Sequence, residues 1–205
     1  MVESAEVLRA ASVDQELTGA LAEVASSVCY AIRSGAKVLL CGNGGSAADA
    51  QHLAGELVGR FRREREGYTV LSMASDASVV TALANDYGYD EVFSRQVTAL
   101  AKPGDVVMGF STSGNSMSVV KAIEVASDIG CTTVGWTGAH GGKLADVADI
   151  VLRAPANETR LVQDVHGGLI HALCEAVEAE LLGEWTKDDK EKSNAKGGGV
   201  LRQGA

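Results

Sequence analysis

KVLLCGNGGSAADAQHLAGELVGRFR, residues 37–62, decides the fold of this chain. KVLLC, residues 37–41, is an apolar run too short for a helix and suited to a strand buried on both faces. GNGGS, residues 42–46, follows as a glycine-rich turn, and a helical stretch runs from about Ala47 to Arg62. A strand, a tight loop and a helix in that order open a βαβ unit.

Downstream the same alternation repeats. TVLSM (69–73) reads as strand, 76–84 and 90–101 as helices, DVVMGF (105–110) as strand and 116–129 as helix. CTTVGW (131–136) reads as strand, GGKLADVA as a short helix, DIVLRA (149–154) as the last strand, and Glu158 to Leu182 as a closing helix. Upstream, Leu17, Leu21, Val24, Val28 and Ile32 recur at intervals of three and four. They predict a long amphipathic N-terminal helix over 12–34, with Ser12 and Gln15 as a capping box and Gly35 as its stop. Five apolar strands alternating with helices predict an α/β fold: a doubly wound α-β-α sandwich on a five-stranded parallel sheet. Ligands in such folds bind beyond the carboxyl ends of the strands, where GNGGS and STSGNS (111–116) both fall. One domain is expected over 1–183, with no internal repeat. The stretch 184–205 loses periodicity, gains charge and glycine, and reads as a flexible tail.

Composition limits the functions open to this fold. The chain has 205 residues, 46% hydrophobic, 22% charged and 4% aromatic, as suits one globular domain. No apolar run is long enough to span a membrane, and the N-terminus lacks the pattern of a secretory signal, so a cytoplasmic protein with no membrane partner is expected. Cys29, Cys41, Cys131 and Cys174 lie far apart in apolar stretches, which fits buried free thiols and neither a zinc finger nor a disulfide framework. A net charge of −9 repels nucleic acid. A phosphate ligand would need a local device.

STSGNS is such a device. Ser111, Thr112, Ser113 and Ser116 offer four hydroxyls in six positions, more than capping of the following helix requires, beside the backbone N–H groups of a helix N-terminus. Gly114 lets backbone approach an anion closely. GNGGS matches neither a Walker loop nor a dinucleotide fingerprint, and says only that backbone comes close to something. Two such loops at one end of one sheet make a sugar phosphate a plausible ligand.

The titratable residues fall on two helices. His52 and Glu56 share one face at i,i+4 spacing, a spacing that surface pairs also adopt. Gln163 and His171, eight apart on the last helix, also share a face, with His166 between them. Imidazoles, a carboxylate and an amide oxygen can together hold zinc, and the same groups can move protons beside a sugar carbonyl. His140, in TGAHGG, reads as an exposed loop residue.

These residues resemble a known family. CGNGGSAADAQHLAGELVGRF is similar to the signature of bacterial phosphoheptose isomerases, which are sugar isomerase (SIS) domain proteins. LANDYGYDEVFSRQV (83–97) resembles their next shared block, and Gln163-Asp164-Val165-His166 with His171 resembles their last helix. STSGNS is similar to their phosphate loop, but alone would identify only the broader SIS class. The resemblance runs from about residue 14 to 183.

It implies a homotetramer with active sites at subunit interfaces, and conversion of sedoheptulose 7-phosphate to D-glycero-D-manno-heptose 7-phosphate through an enediol. It further implies Glu56 as base and His171 as acid/base partner, and one Zn2+ per subunit on His52, Glu56, Gln163 and His171. Ser111, Thr112, Ser113 and Ser116, with Ser46, would bind phosphate; Asn43, Gly44, Asp86 and Gln163 would line the substrate. Leu161 stands where many members carry Arg, and Leu53 where an aromatic residue is common. Two rival readings share the fold: a regulator that binds a replication-initiator protein, and a sugar-phosphate sensor. The regulator's family lacks the Glu, so Glu56 with His171 discriminates against it, and no DNA-binding segment favours a sensor attached to a transcription regulator.

Overall fold

The computed structural model describes residues 1–183; the expected tail over 184–205 lies outside the described residues. The elements are α1 (Val2–Val13), α2 (Gln15–Arg33), β1 (Val38–Gly42), α3 (Gly45–Val58), β2 (Val70–Ser72), α4 (Ala77–Tyr87), a 3-10 turn (Tyr89–Glu91) and α5 (Ser94–Leu100). They continue with β3 (Val106–Phe110), α6 (Met117–Ile129), β4 (Thr132–Thr137), α7 (Leu144–Val147), β5 (Ile150–Arg153) and α8 (Thr159–Leu182).

All five strands are parallel, in the order β2-β1-β3-β4-β5. The chain therefore reverses direction across the sheet after β2, and the crevice beside β1 and β3 is the switch point where ligands bind in such folds. Strand residues alternate between two apolar layers. Val38, Leu40, Met108, Phe110, Val134 and Trp136 face a layer built by α1, α2, α3 and α8. Leu39, Cys41 and Val107 face the other, built by α5, α6 and α7. Burial on both faces explains why these strands read as continuous apolar runs.

The fold matches the expected class, with three local corrections. The amphipathic helix expected over 12–34 is α2, and a separate helix α1 precedes it. The chain breaks at Asp14, whose backbone is extended and whose carboxylate caps α2 by accepting from Leu17 N at 3.1 Å. Ser12 is no cap; it sits inside α1 with its hydroxyl on Arg9 O. The segment expected as a helix over 90–101 is the 3-10 turn followed by α5. Helix α3 runs from Gly45 to Val58 and stops short of Arg62: Gly59 is its C-cap, and a buried carboxylate, Glu178, captures the N–H groups of Phe61, Arg62 and Arg63 beyond it.

Candidate active site

At the carboxyl ends of β1 and β3 the two predicted loops lie side by side. Asn43, leaving β1, donates through Nδ2 to Ser116 Oγ at 2.8 Å and Ser118 Oγ at 2.9 Å. Its Oδ1 accepts from the Tyr89 hydroxyl at 2.8 Å. Gly114 has φ +66°, and a Cβ there would fall 1.8 Å from Gly141 O, so only glycine closes this turn. Ser116 is the N-cap residue of α6 but makes no side-chain cap bond, and Ser113 Oγ accepts from Asn115 N at 3.2 Å. Ser111 and Ser46 are buried, Thr112 and Ser116 half-buried, Ser113 and Gly44 exposed.

Helices α3 and α8 run side by side in the same direction. At their starts a Cβ on Gly45 would lie 2.1 Å from Gln163 Nε2. Two turns along α3, His52 Nε2 lies 3.2 Å from His171 Nε2 and 3.5 Å from Glu56 Oε1. Ligand atoms of His52, Glu56 and His171 all lie within 4.8 Å of one another. The spacing that surface pairs also adopt is here completed by an imidazole from another helix. Phe61 stacks on His171 with ring centroids 5.7 Å apart.

Some predicted residues stand apart. Gln163 lies eight residues before His171, about 12 Å along the helix axis, and its amide packs on the glycine loop. Asp86 is exposed near the end of α4, accepting from Asn85 Nδ2 at 2.8 Å. His166 is fully buried, edge-on to Trp136 and Phe110, and His140 is exposed as expected.

The SIS-domain family model matches residues 3–138. The chain is 49% identical over 173 residues to a phosphoheptose isomerase of Geotalea daltonii, covering 84% of this chain and 90% of that one. It is 52% identical over 171 residues to one from Trichlorobacter lovleyi, covering 83% and 87%. The solved phosphoheptose isomerase of Neisseria gonorrhoeae superposes with a TM-score of 0.81 at 38% identity, over 87% of this chain and 94% of that one. The chain belongs to the phosphoheptose isomerase family.

For a member of the phosphoheptose isomerase family, two features around the site were not read from the sequence. The first is a buried clamp. Glu178, fully buried on α8, accepts from Phe61 N at 3.0 Å, Arg62 N at 3.0 Å, Arg63 N at 3.2 Å and Arg65 Nε at 3.0 Å. Arg65 in turn donates to the carbonyls of Glu56, Leu57, Gly59 and Glu66. The clamp fixes the end of α3, where Glu56 sits, and the loop that carries Phe61 onto His171. A signal existed: Glu178 follows Ile170 and Cys174 at helical spacing, on the face of α8 that the apolar pattern buries.

The second is a half-buried carboxyl beside a buried imidazole. Asp49 Oδ2 lies 4.0 Å from His166 Nδ1, beyond hydrogen-bonding range, and neither atom has another partner. Burial pushes Asp49 up to about 6, partly offset by nearby His52. Burial pushes His166 down to about 4, against its contact with Thr137 O. The cysteines are buried free thiols, as expected. Burial pushes Cys29, Cys41 and Cys174 up to about 12, which removes them as thiolate nucleophiles.

Proposed function

We propose that this chain converts sedoheptulose 7-phosphate to D-glycero-D-manno-heptose 7-phosphate, as a cytoplasmic homotetramer with one zinc ion per subunit. The single observation that carries the reading is the His52–Glu56–His171 cluster, two turns along the helix that the glycine loop opens. An aldose–ketose exchange moves one proton between adjacent carbons and one between their oxygens. Glu56 removes the proton from C1 of the open-chain ketose; the resulting enediol takes it back at C2. His171 moves the oxygen proton from O1 to O2, through whichever ring nitrogen is not on a metal. Ser111, Thr112, Ser113 and Ser116, with Ser46, hold the phosphate, and that remote binding energy orients the reacting carbons. Asn43, Gly44, Asp86 and Gln163 line the rest of the substrate path.

The donor set fits zinc. Two ligands on a tetrahedral zinc stand about 3.3 Å apart, close to the 3.2 Å between the His52 and His171 nitrogens. His52, Glu56 and His171 would hold the ion; Gln163, about 12 Å along α8 from His171, stands apart from them on the glycine loop. Bound there, zinc supplies a Lewis acid that polarises the carbonyl and steadies the oxyanion. Residues 1–183 serve as one SIS domain. Exposed Val2, Leu8 and Val13 of α1 and Tyr30 of α2 give the tetramer apolar surface to cover. The charge of −9 and the purely local anion device support a small-molecule ligand and no nucleic-acid partner. Among the described residues no helix is long and apolar enough to cross a membrane.

The test is conversion of sedoheptulose 7-phosphate followed by NMR, before and after chelation. Turnover that falls on chelation and returns with zinc is expected. No turnover with or without zinc would refute the isomerase reading and leave a binding role.

A further inference from the structure

The hydrogen bonds around Asn43 carry an inference that rests on the phosphate-loop reading above and deepens it. Asn43 donates to both Ser116 Oγ and Ser118 Oγ. A serine oxygen that accepts keeps its own proton for another partner. The Ser116 and Ser118 oxygens are 3.5 Å apart, so the O–H of the buried Ser118 can donate to Ser116 Oγ. Ser116 Oγ then accepts twice, and its O–H has nowhere to point but outward. The same polarity runs through the loop: Ser116 N donates to Ser111 Oγ at 3.4 Å, and Asn115 N donates to Ser113 Oγ at 3.2 Å. Three loop hydroxyls thus accept from within and keep their own protons to offer, as a phosphate dianion, which only accepts, requires.

This polarity depends on which way the Asn43 amide faces. Rotated by half a turn, its oxygen would meet Ser116 and Ser118, whose hydroxyls would donate inward and be lost to the ligand. Tyr89 decides the matter. Its hydroxyl meets Asn43 Oδ1 at 2.8 Å. A phenol oxygen, its lone pair drawn into the ring, is a better donor and a poorer acceptor than a serine hydroxyl. The arrangement in which Tyr89 donates to Oδ1 and the serines accept from Nδ2 is therefore favoured over its inverse. We propose that Tyr89 is a positioning residue that sets the polarity of the phosphate loop through Asn43, turning the loop hydroxyls into donors for the sugar phosphate. It lies outside the loop, in the 3-10 turn after α4, and touches no reacting atom.

Tyr89→Phe removes only the hydroxyl of a half-exposed ring, so the fold and melting temperature should hold. Loss of one orienting hydrogen bond should raise KM for sedoheptulose 7-phosphate about fivefold. The inhibition constant of inorganic phosphate should rise in parallel, with kcat within about twofold. Unchanged KM and phosphate inhibition in Tyr89→Phe, or a fall in kcat alone, would overturn the role of Tyr89 while leaving the phosphate loop intact. A wild type that neither turns over sedoheptulose 7-phosphate nor binds inorganic phosphate would overturn the loop reading itself, and this inference with it.

Discussion

At the scale of single residues, burial sets the chemistry of side chains that the sequence presents alike. Asp49 and His52 lie on the same helix three residues apart, yet one is turned, half-buried, toward His166 and the other faces the site. Asp49, pushed up to about 6, binds a proton in the folded chain at pH values where the unfolded carboxylate has lost it. Between about pH 4 and 6 its contribution to stability falls as pH rises. His166, pushed down to about 4, stays neutral while the unfolded imidazole takes up a proton, so from about pH 6.5 to 4 its contribution is lost as pH falls. The two oppose each other over the shared window. Asp49→Asn should leave the His166 loss unopposed. In chelator-treated protein the urea midpoint of the variant should drop more steeply on acidification than that of the wild type, and parallel curves would contradict the account. The sequence placed His166 on the right helix; that its ring packs against Trp136 was not legible, because the strand β4 that supplies Trp136 meets α8 only in the tertiary fold.

At the scale of elements, local pattern and tertiary capture compete. The spacing of Ser12 and Gln15 satisfies a capping formula, but Asp14 breaks the chain and caps α2 with its own carboxylate. The expected α3 overran to Arg62 past Gly59, the stop that GELVGRFR does contain and the C-cap of the helix; what the sequence hid is that Glu178, more than a hundred residues away, captures the chain just beyond it. Removing that charge should be felt at once. Glu178→Gln leaves the Arg65 guanidinium buried without its counter-charge, and should cost about 3–5 kcal/mol of stability. Urea unfolding of the variant measures it, and a loss under about 1 kcal/mol would mean that hydrogen bonds, not the charge pair, hold the loop.

At the scale of the whole molecule, the sheet was legible because strands buried on both faces read as uninterrupted apolar runs, and the loops at their carboxyl ends located the crevice. The site was legible only in halves. His52 with Glu56, and Gln163 with His171, each showed a shared helix face, but spacing alone does not say that α3 and α8 lie side by side. Their meeting was implied by family resemblance and is set by the packing of one apolar layer. The acidic chain then needs no basic field, since the loops concentrate donors at one point. The central claim is that Glu56 moves the carbon-bound proton, and one measurement tests it most directly: turnover of sedoheptulose 7-phosphate by Glu56→Gln beside the wild type, followed by NMR, with folding checked by circular dichroism. A folded variant slowed by about a hundredfold or more is the predicted result. A folded variant that keeps most of the wild-type turnover would contradict the claim and take the base assignment away from Glu56.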